Sequence, residues 1–412
     1  VTILTHKVTI GIVLVLSYIT RRKSMDKFTA EEYLKIDIAN NFGKDKLNYK
    51  DRIKWFDSQE NLESLTSNAK EPAMFLAGVL AYRKAIKGEA IGYPISLDAT
   101  ASGMQILSIL ANDPIGAALT NVIDSDDRQD AYTVIYDIMK EQTKGSKLER
   151  DQVKKAIMVS LYGSDAGPKE LFSTSVLPYF YKTITETIPR VWELNTLFLG
   201  LWNKEVEEYR WTLPDNFHVV SEVHNIKEET VIFDGKPITV KTKVKAKNDY
   251  GRSLGANTVH SIDAYFVREV VRRCSLDREI ILRAKAALCY FGSSDTAPNN
   301  RVTKLWNQYL RTGMLSARIL QYLDEDSVHT VDRDVVWKLI NSLPTKQFTV
   351  LTIHDSFRVL PQYGNDVREQ YVNLLKELGQ SNLLGSILED LTGKEFVTPK
   401  FSFNIGGNYA IC

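Results

Sequence analysis

Cysteine is scarce. The 412 residues hold three, Cys274, Cys289 and Cys412, scattered and without the spacing of a metal site. That argues against a disulfide framework and for a reducing, intracellular setting. Net charge is nearly absent too: 52 basic against 51 acidic residues leave +1, so no global basic field marks the chain for nucleic acid. Such contact must be local, through Lys144 to Lys155 or the lysines at 241, 243, 245 and 247. Taken alone, each group reads equally well as a solvated face. No apolar run is long enough for a bilayer: Val8 to Ile19 falls well short of the roughly 20 residues needed, and no membrane partner is expected. Arg21-Arg22-Lys23 follow that run, and the first methionine is Met25, just ahead of the first folding signals. Residues 1–24 fit a poor signal-peptide core, a transit peptide or an interfacial segment, and the favoured expectation is an N-terminal extension from upstream translation or added sequence. Repeats and low-complexity tracts are missing as well, and 44% hydrophobic content suffices for two or three domains.

What is present is mostly helical periodicity. Thr29-Ala-Glu-Glu32 is a capping box ahead of Tyr33, Ile36, Ile38 and Ala39, a helix predicted to end near Gly43. Helices follow through Arg52 to Phe56 and after Pro72. The run from Tyr93 to Asp98 reads as a short strand delivering one aspartate to a Ser/Gly turn, with a helix at once behind it and a stop at Asn112-Asp-Pro114. Helical spacing resumes over 127–144, 148–161 and 170–209. At Pro214-Asp215 the period changes: 217–247 alternate, with Asp234-Gly235 as a hairpin turn, and four alternating lysines would charge one face of the second arm. A helix opens at Gly255 and runs through Phe266. The stretch Val350 to Leu360 is strand, turn, strand, with His354-Asp355 at its tip.

Three stretches carry chemistry. Asp98 and Asp355 are each ordinary turn residues when taken singly. As a pair at strand ends they match what Mg²⁺ asks of a protein, one or two carboxylates, the remaining positions going to water and phosphate. Arg150, Lys154, Met158 and Tyr162 stand four apart, so on a helix each advances about 40° and 6 Å. They form a row about 18 Å long, the reach of an extended nucleotide. Cations in the first turns of a helix oppose its dipole unless an anion sits there, and a triphosphate would be that anion. Tyr162 can stack on a base, and Gly163 allows close approach. Met158 and Tyr162 also fit a plain core.

These stretches resemble the bacteriophage and mitochondrial single-subunit DNA-dependent RNA polymerases, relatives of the pol I family of DNA polymerases. Asp98-x₃-Ser102-Gly103-x-Gln105 is similar to that family's motif A. Arg150-x₃-Lys154-x₃-Met158-x₃-Tyr162-Gly163 is similar to its motif B, and His354-Asp355-Ser356 to its motif C. The resemblance runs from about residue 27 to the end. It implies an α+β, mostly helical fold: a right-hand polymerase with an antiparallel palm sheet and helical fingers, thumb and N-terminal domain absent. Residues 25–113 would be the first part of the palm and 114–260 the fingers, with the hairpin at 217–247 in the place of the specificity loop. Residues 261–412 would be the second part of the palm, ending in a short C-terminal foot. It further implies two Mg²⁺ ions on Asp98, Asp355 and the Ala99 carbonyl, and Lys46, Arg150 and Lys154 on the triphosphate. Lys154 would also protonate the leaving pyrophosphate. Tyr132, Tyr162 and His260 would lie near the sugar, and Met158 and Gly103 would line the nucleotide site.

The expected activity is DNA-templated RNA synthesis from rNTPs onto an RNA 3′-hydroxyl. The expected partners are template DNA, nascent RNA and a promoter or single-stranded-DNA-binding factor. In a phage-encoded protein the setting would be the cytoplasm of the infected host. Two departures stand out. No counterpart of the family's N-terminal region, thumb or upstream palm motif precedes Met25, so a second subunit is expected to supply them, with this chain as the catalytic one. The interval from His260 to Asp355 is longer than the family's, so about 275–345 read as a helical insertion. The nearest rival is a DNA polymerase. Those enzymes resemble one another in a glutamate five residues after the first aspartate, which blocks a 2′-hydroxyl. Here the position is Gly103, and the space is expected to stay open. A non-catalytic nucleic-acid-binding subunit would have lost a metal ligand or a basic residue of motif B; none is lost.

Overall fold

Thr29 caps the first helix as its sequence demands. The Glu32 N–H donates to Thr29 Oγ1 at 3.2 Å and the Thr29 N–H to Glu32 Oε2 at 2.8 Å, so two donors free at a helix start are satisfied reciprocally. The computed structural model that provides this geometry describes residues 25–125, 127–143, 147–249, 251–292 and 297–412. The expected extension 1–24, Lys144 and residues 293–296 of the expected insertion lie outside them.

The elements in order are α1 (Ala30–Ala39), α2 (Tyr49–Asp57), α3 (Pro72–Ala85), β1 (Ile95–Asp98), α4 (Ser102–Leu110), α5 (Pro114–Leu119), α6 (Ala131–Gln142) and α7 (Arg150–Leu161). Then come α8 (Ala166–Leu171), α9 (Leu177–Thr187), α10 (Pro189–Gly200), β2 (Glu208–Thr212), β3 (His218–Glu222), β4 (His224–Phe233) and β5 (Lys236–Lys245). The chain closes with α11 (Ser253–Ser275), α12 (Arg278–Leu288), α13 (Asn300–Thr312), α14 (Arg333–Ser342), β6 (Leu351–Ile353), β7 (Ser356–Val359), α15 (Gly364–Gly379) and α16 (Leu383–Thr392). The protein is α+β: mostly helical, with small antiparallel sheets. Among the described residues no helix is long and apolar enough to cross a membrane.

The sheet that matters for function has the order β1-β7-β6, with Asp98 opposite Ser356 and Ser96 opposite Arg358. Alternation gives it two faces. Ile95, Leu97, Phe357 and Val359 point into the main core. Asp98, Ser96, Ser356 and Arg358 share the opposite face, where the Ser96 and Ser356 hydroxyls lie 2.9 Å apart. The free edge of β1 is closed by the last residues of the sequence. The Asp98 N–H donates to the Cys412 carbonyl at 3.2 Å, and the Cys412 N–H returns the bond at 3.0 Å. The buried Gln105 amide donates to the Thr120 and Ala410 carbonyls and accepts the Tyr371 hydroxyl, fixing α4 beneath that strand.

Two readings need correcting. Helical structure does not run to Tyr209. It stops near Gly200, and β2 begins at Glu208, ahead of Pro214-Asp215. Tyr209 and Trp211 are buried while Arg210 between them is exposed, a two-residue alternation hidden in an aromatic-rich stretch that also fits a helix. The second concerns the ribbon β4–β5. Its turn is as predicted, with positive φ at Asp234 (51°) and Gly235 (74°), but its lysines are not a bare basic face. Lys241 pairs with Glu228, Lys245 with Glu208 and Glu222, and Lys247 with Glu205. The partners come from neighbouring strands and from the loop before β2, so no single segment revealed them.

The described residues between Leu276 and Leu343 gather their own apolar cluster, apart from the main core. Buried polar groups bolt it to α11. The Glu269 carboxylate accepts the Ser316 hydroxyl at 2.7 Å and the Ala317 N–H at 2.6 Å, and Arg273 links Glu269 to Glu377 of α15.

Candidate active site

The register of β1 on β7 puts the two aspartates on neighbouring strand ends. Asp98 ends β1 opposite Ser356, and Asp355 is the residue just before Ser356. Positive-φ residues flank both: Ala101 (58°) turns the chain into α4, and His354 (56°) makes the tight tip between β6 and β7. Asp98 is exposed and Asp355 half-buried. Hard carboxylate oxygens with open space beside them suit Mg²⁺, and two are enough for it. The described residues contain no cluster of three or more His, Cys, Asp or Glu poised to hold a metal by themselves. The Ala99 carbonyl accepts the Ala101 N–H at 3.1 Å, leaving its second lone pair free.

A third carboxylate stands by. Asp263, one turn beyond His260 on α11, has a carboxyl pushed up to about 6 by burial and then by the Asp355 charge, while the Ser102 hydroxyl bonds to it. Sequence reading passed over it; its signal was the i, i+3 spacing from His260 on one helix face.

Helix α7 buries Val153, Ala156, Ile157, Ser160 and Leu161 and turns its other side to solvent. Lys154 is exposed and Met158 is 42% exposed, which removes the plain-core alternative for Met158. Tyr162 lies just past the helix as its cap residue, in contact with Gly103 of α4 and stacked on the His260 ring at 4.5 Å and 24°. The space at Gly103 is thus not open, as its missing side chain suggested: the Tyr162 hydroxyl fills it.

The anion expected at the start of α7 is present within the protein. Asp130 Oδ2 lies 2.6 Å from Arg150 Nη2 and 3.6 Å from Lys46 Nζ. Its other oxygen caps α6 through the Tyr132 and Thr133 N–H groups. Burial favours the neutral form of Asp130, yet Lys46 and Arg150 together hold its pKa below the ordinary value. One carboxylate therefore gathers two of the three cations expected to grip a triphosphate. Lys154, the third, sits 5.6 Å from the Tyr132 ring centre. Burial first, then the Tyr162, Asp130 and Asp355 charges, push the Tyr132 hydroxyl up to about 12.

Two adjoining cavities share Ala99, Ala101, Tyr132 and Lys154 as a common wall. The smaller, about 240 Å³, contains Gly103, Met158, Tyr162 and Asp355. The larger, about 470 Å³, contains Lys46, Asp98, Asp130 and Arg358. The first offers ring, thioether and hydroxyl surface suited to a nucleoside, and the second offers charge suited to phosphates. Lys46, Tyr132, Arg150, Lys154, Met158, Tyr162, His260 and both aspartates converge here from distant parts of the sequence. Asp130, Asp263 and Arg358 join them unpredicted.

A site that sets paired carboxylates beside several basic side chains is the kind that handles nucleotide phosphates. Residues 27–169 match the family described as DNA-dependent RNA polymerase. The chain is 25% identical, over 79% of its length, to a probable DNA-directed RNA polymerase of Neurospora crassa, covering 36% of that protein. It is 30% identical, over 29% of its length, to the DNA-directed RNA polymerase of Pseudomonas phage phiKMV, covering 16% of that one. It is 26% identical, over 56% of its length, to the mitochondrial DNA-directed RNA polymerase 1B of Nicotiana tabacum, covering 29%. The chain is thus similar to RNA polymerases of a phage, a fungus and a plant mitochondrion, and spans about a third or less of the length of these relatives.

Proposed function

We propose that this chain carries out DNA-templated RNA synthesis, transferring a nucleotide from an rNTP to an RNA 3′-hydroxyl. The observation that carries the reading is the Asp98–Asp355 pair beside two joined cavities, one suited to a nucleoside and one to phosphates. Lys46 and Lys154, in the wall of the larger cavity, and Arg150, paired with Asp130 of that wall, hold the triphosphate. In the smaller, Tyr162, with His260 stacked on it, faces the ribose, and a site that hydrogen-bonds a substrate hydroxyl discriminates strongly against its absence. Two Mg²⁺ ions, held by Asp98, Asp355 and the Ala99 carbonyl, would supply the charge that stabilises the attacking and leaving oxygens. The RNA 3′-hydroxyl loses its proton to solvent, and the bond from its oxygen to the α-phosphorus forms as the bond from that phosphorus to the bridging oxygen breaks. Lys154, which lines both cavities, would give the departing pyrophosphate a proton.

In architectural terms 25–113 and 261–412 form the palm, 114–260 the fingers, 217–247 the counterpart of the specificity loop and about 275–345 an insertion. The proposed partners are template DNA, nascent RNA, a second polymerase subunit, and a promoter or single-stranded-DNA-binding factor. The test is extension of an RNA primer on single-stranded DNA, by the chain alone and with proteins that co-purify with it. Asp98→Asn and Asp355→Asn each abolish extension while leaving circular dichroism and melting unchanged; near-normal rates in either would remove that residue from the metal pair.

A further inference from the structure

The larger cavity extends beyond what the triphosphate grip uses. Two of its arginines, Arg128 and Arg358, each carry a buried Nε without a hydrogen-bond partner. A buried guanidinium donor left unpaired costs free energy, so an acceptor is expected to reach it at some stage of the working cycle. Arg358 stands on the same sheet face as Asp98, opposite Ser96. From Ser356, the residue opposite Asp98, it is two positions along β7, about 7 Å. Its charge acts on Asp37, which lines the same cavity, whereas Tyr162, Met158 and Asp355 line the other. The Asp37 carboxylate does not satisfy it: its oxygens take the Tyr93 hydroxyl at 2.6 Å, the Ser96 N–H at 2.8 Å and the Asn41 amide at 3.0 Å.

The geometry points to Arg358, with Arg128, as a receiving site for the pyrophosphate product, which passes from Lys46, Arg150 and Lys154 to these two arginines within the larger cavity before it leaves. This rests on the polymerase reading for its ligand, but not for its test. Guanidinium forks suit pyrophosphate oxygens, and both arginines lie off the nucleoside side of the shared wall.

Inorganic pyrophosphate is titrated calorimetrically into the full chain, wild type and Arg358→Gln, Arg358→Lys and Arg128→Gln, with circular dichroism as the check on folding. Loss of one charged hydrogen-bonding group weakens pyrophosphate binding by about tenfold in each Gln variant, with Arg358→Lys between. In primer extension, inhibition by added pyrophosphate weakens by the same factor in folded variants, while KM for the rNTP stays within about twofold. Unchanged pyrophosphate affinity in Arg358→Gln overturns the assignment. So does an equal loss of rNTP affinity, which would put Arg358 in the triphosphate grip, or a loss of affinity for the RNA 3′ end alone, which would assign it to a product-strand phosphodiester. If no variant and no wild type extends a primer, the polymerase reading fails while the calorimetry still decides the anion site.

Discussion

A methyl group on Gly103 would lie 2.5 Å from the Tyr162 hydroxyl oxygen but 3.4 Å from the ring carbon that bears it. The conflict is thus with one oxygen atom. Gly103→Ala pushes the Tyr162 ring off its stack on His260, and misplacement of about 1 Å near a reacting centre can cost on the order of a hundredfold in rate. The expected outcome is a loss of rNTP incorporation of about ten- to a hundredfold. Adding Tyr162→Phe removes the clashing oxygen and restores much of the rate. Full additivity of the two changes in a double-mutant cycle would show that the contact does not matter.

Tyr162→Phe alone keeps the stack and loses the hydroxyl. If that hydroxyl answers the substrate's 2′-hydroxyl, preference for rNTP over dNTP in single-nucleotide addition drops by at least tenfold, about the discrimination carried by one hydrogen bond to a neutral group. A preference that stays the same takes Tyr162 out of sugar selection.

Asp130→Asn keeps the cap on α6, since asparagine caps as well as aspartate, but withdraws the charge that gathers Arg150 and Lys46. Without that internal competitor the two cations turn to the triphosphate. Nucleotide affinity, measured by direct binding, rises by about threefold, the worth of a partly screened ion pair. A fall would mean that Asp130 holds the cations in the geometry the phosphates need. Melting temperature separates either outcome from a damaged fold.

Asp37 is buried under β1, where burial pushes its carboxyl up to about 6 against the opposing pull of the Tyr93 hydroxyl, the Ser96 N–H and Arg358; the Asp98 charge adds a smaller push upward. Its folded pKa lies above its unfolded value, so between about pH 4 and 6 the folded state binds the extra proton. Its contribution to stability is therefore greatest at the acid end of that window and is lost as pH rises through 6. The loss is at most roughly 3 kcal/mol. Denaturant unfolding across this window falls less steeply with pH in Asp37→Asn than in the wild type. Parallel slopes would show that Asp37 titrates normally.

Local order was largely legible. The Thr29 capping box, the strand ending at Asp98, the Asp234-Gly235 turn and the aspartate at the tip of β6–β7 follow from short-range chemistry that operates on the residues naming it. What was not legible depends on what arrives from elsewhere. Asp130 caps α6 through one oxygen, but its second oxygen collects Lys46 and Arg150 from elsewhere in the chain. Gly103 promised a gap that a side chain from the far end of α7 fills. The ribbon lysines promised free charge, and their glutamates lie on β2, β3 and β4 and in the loop before β2. Arg358 was one more residue of a strand until the register on β1 turned it toward Asp98.

The hydroxyl pair Ser96–Ser356 sits between partners 260 residues apart in the sequence. The carboxylate pair beside it comes into being only when that long loop closes, a step whose entropy must be met before any reward is collected. Helices such as α7 and α11 can form from local signals well before this. During refolding, helical ellipticity should return first and nucleotide binding last, so the chain passes through a period in which it is largely folded and still inert.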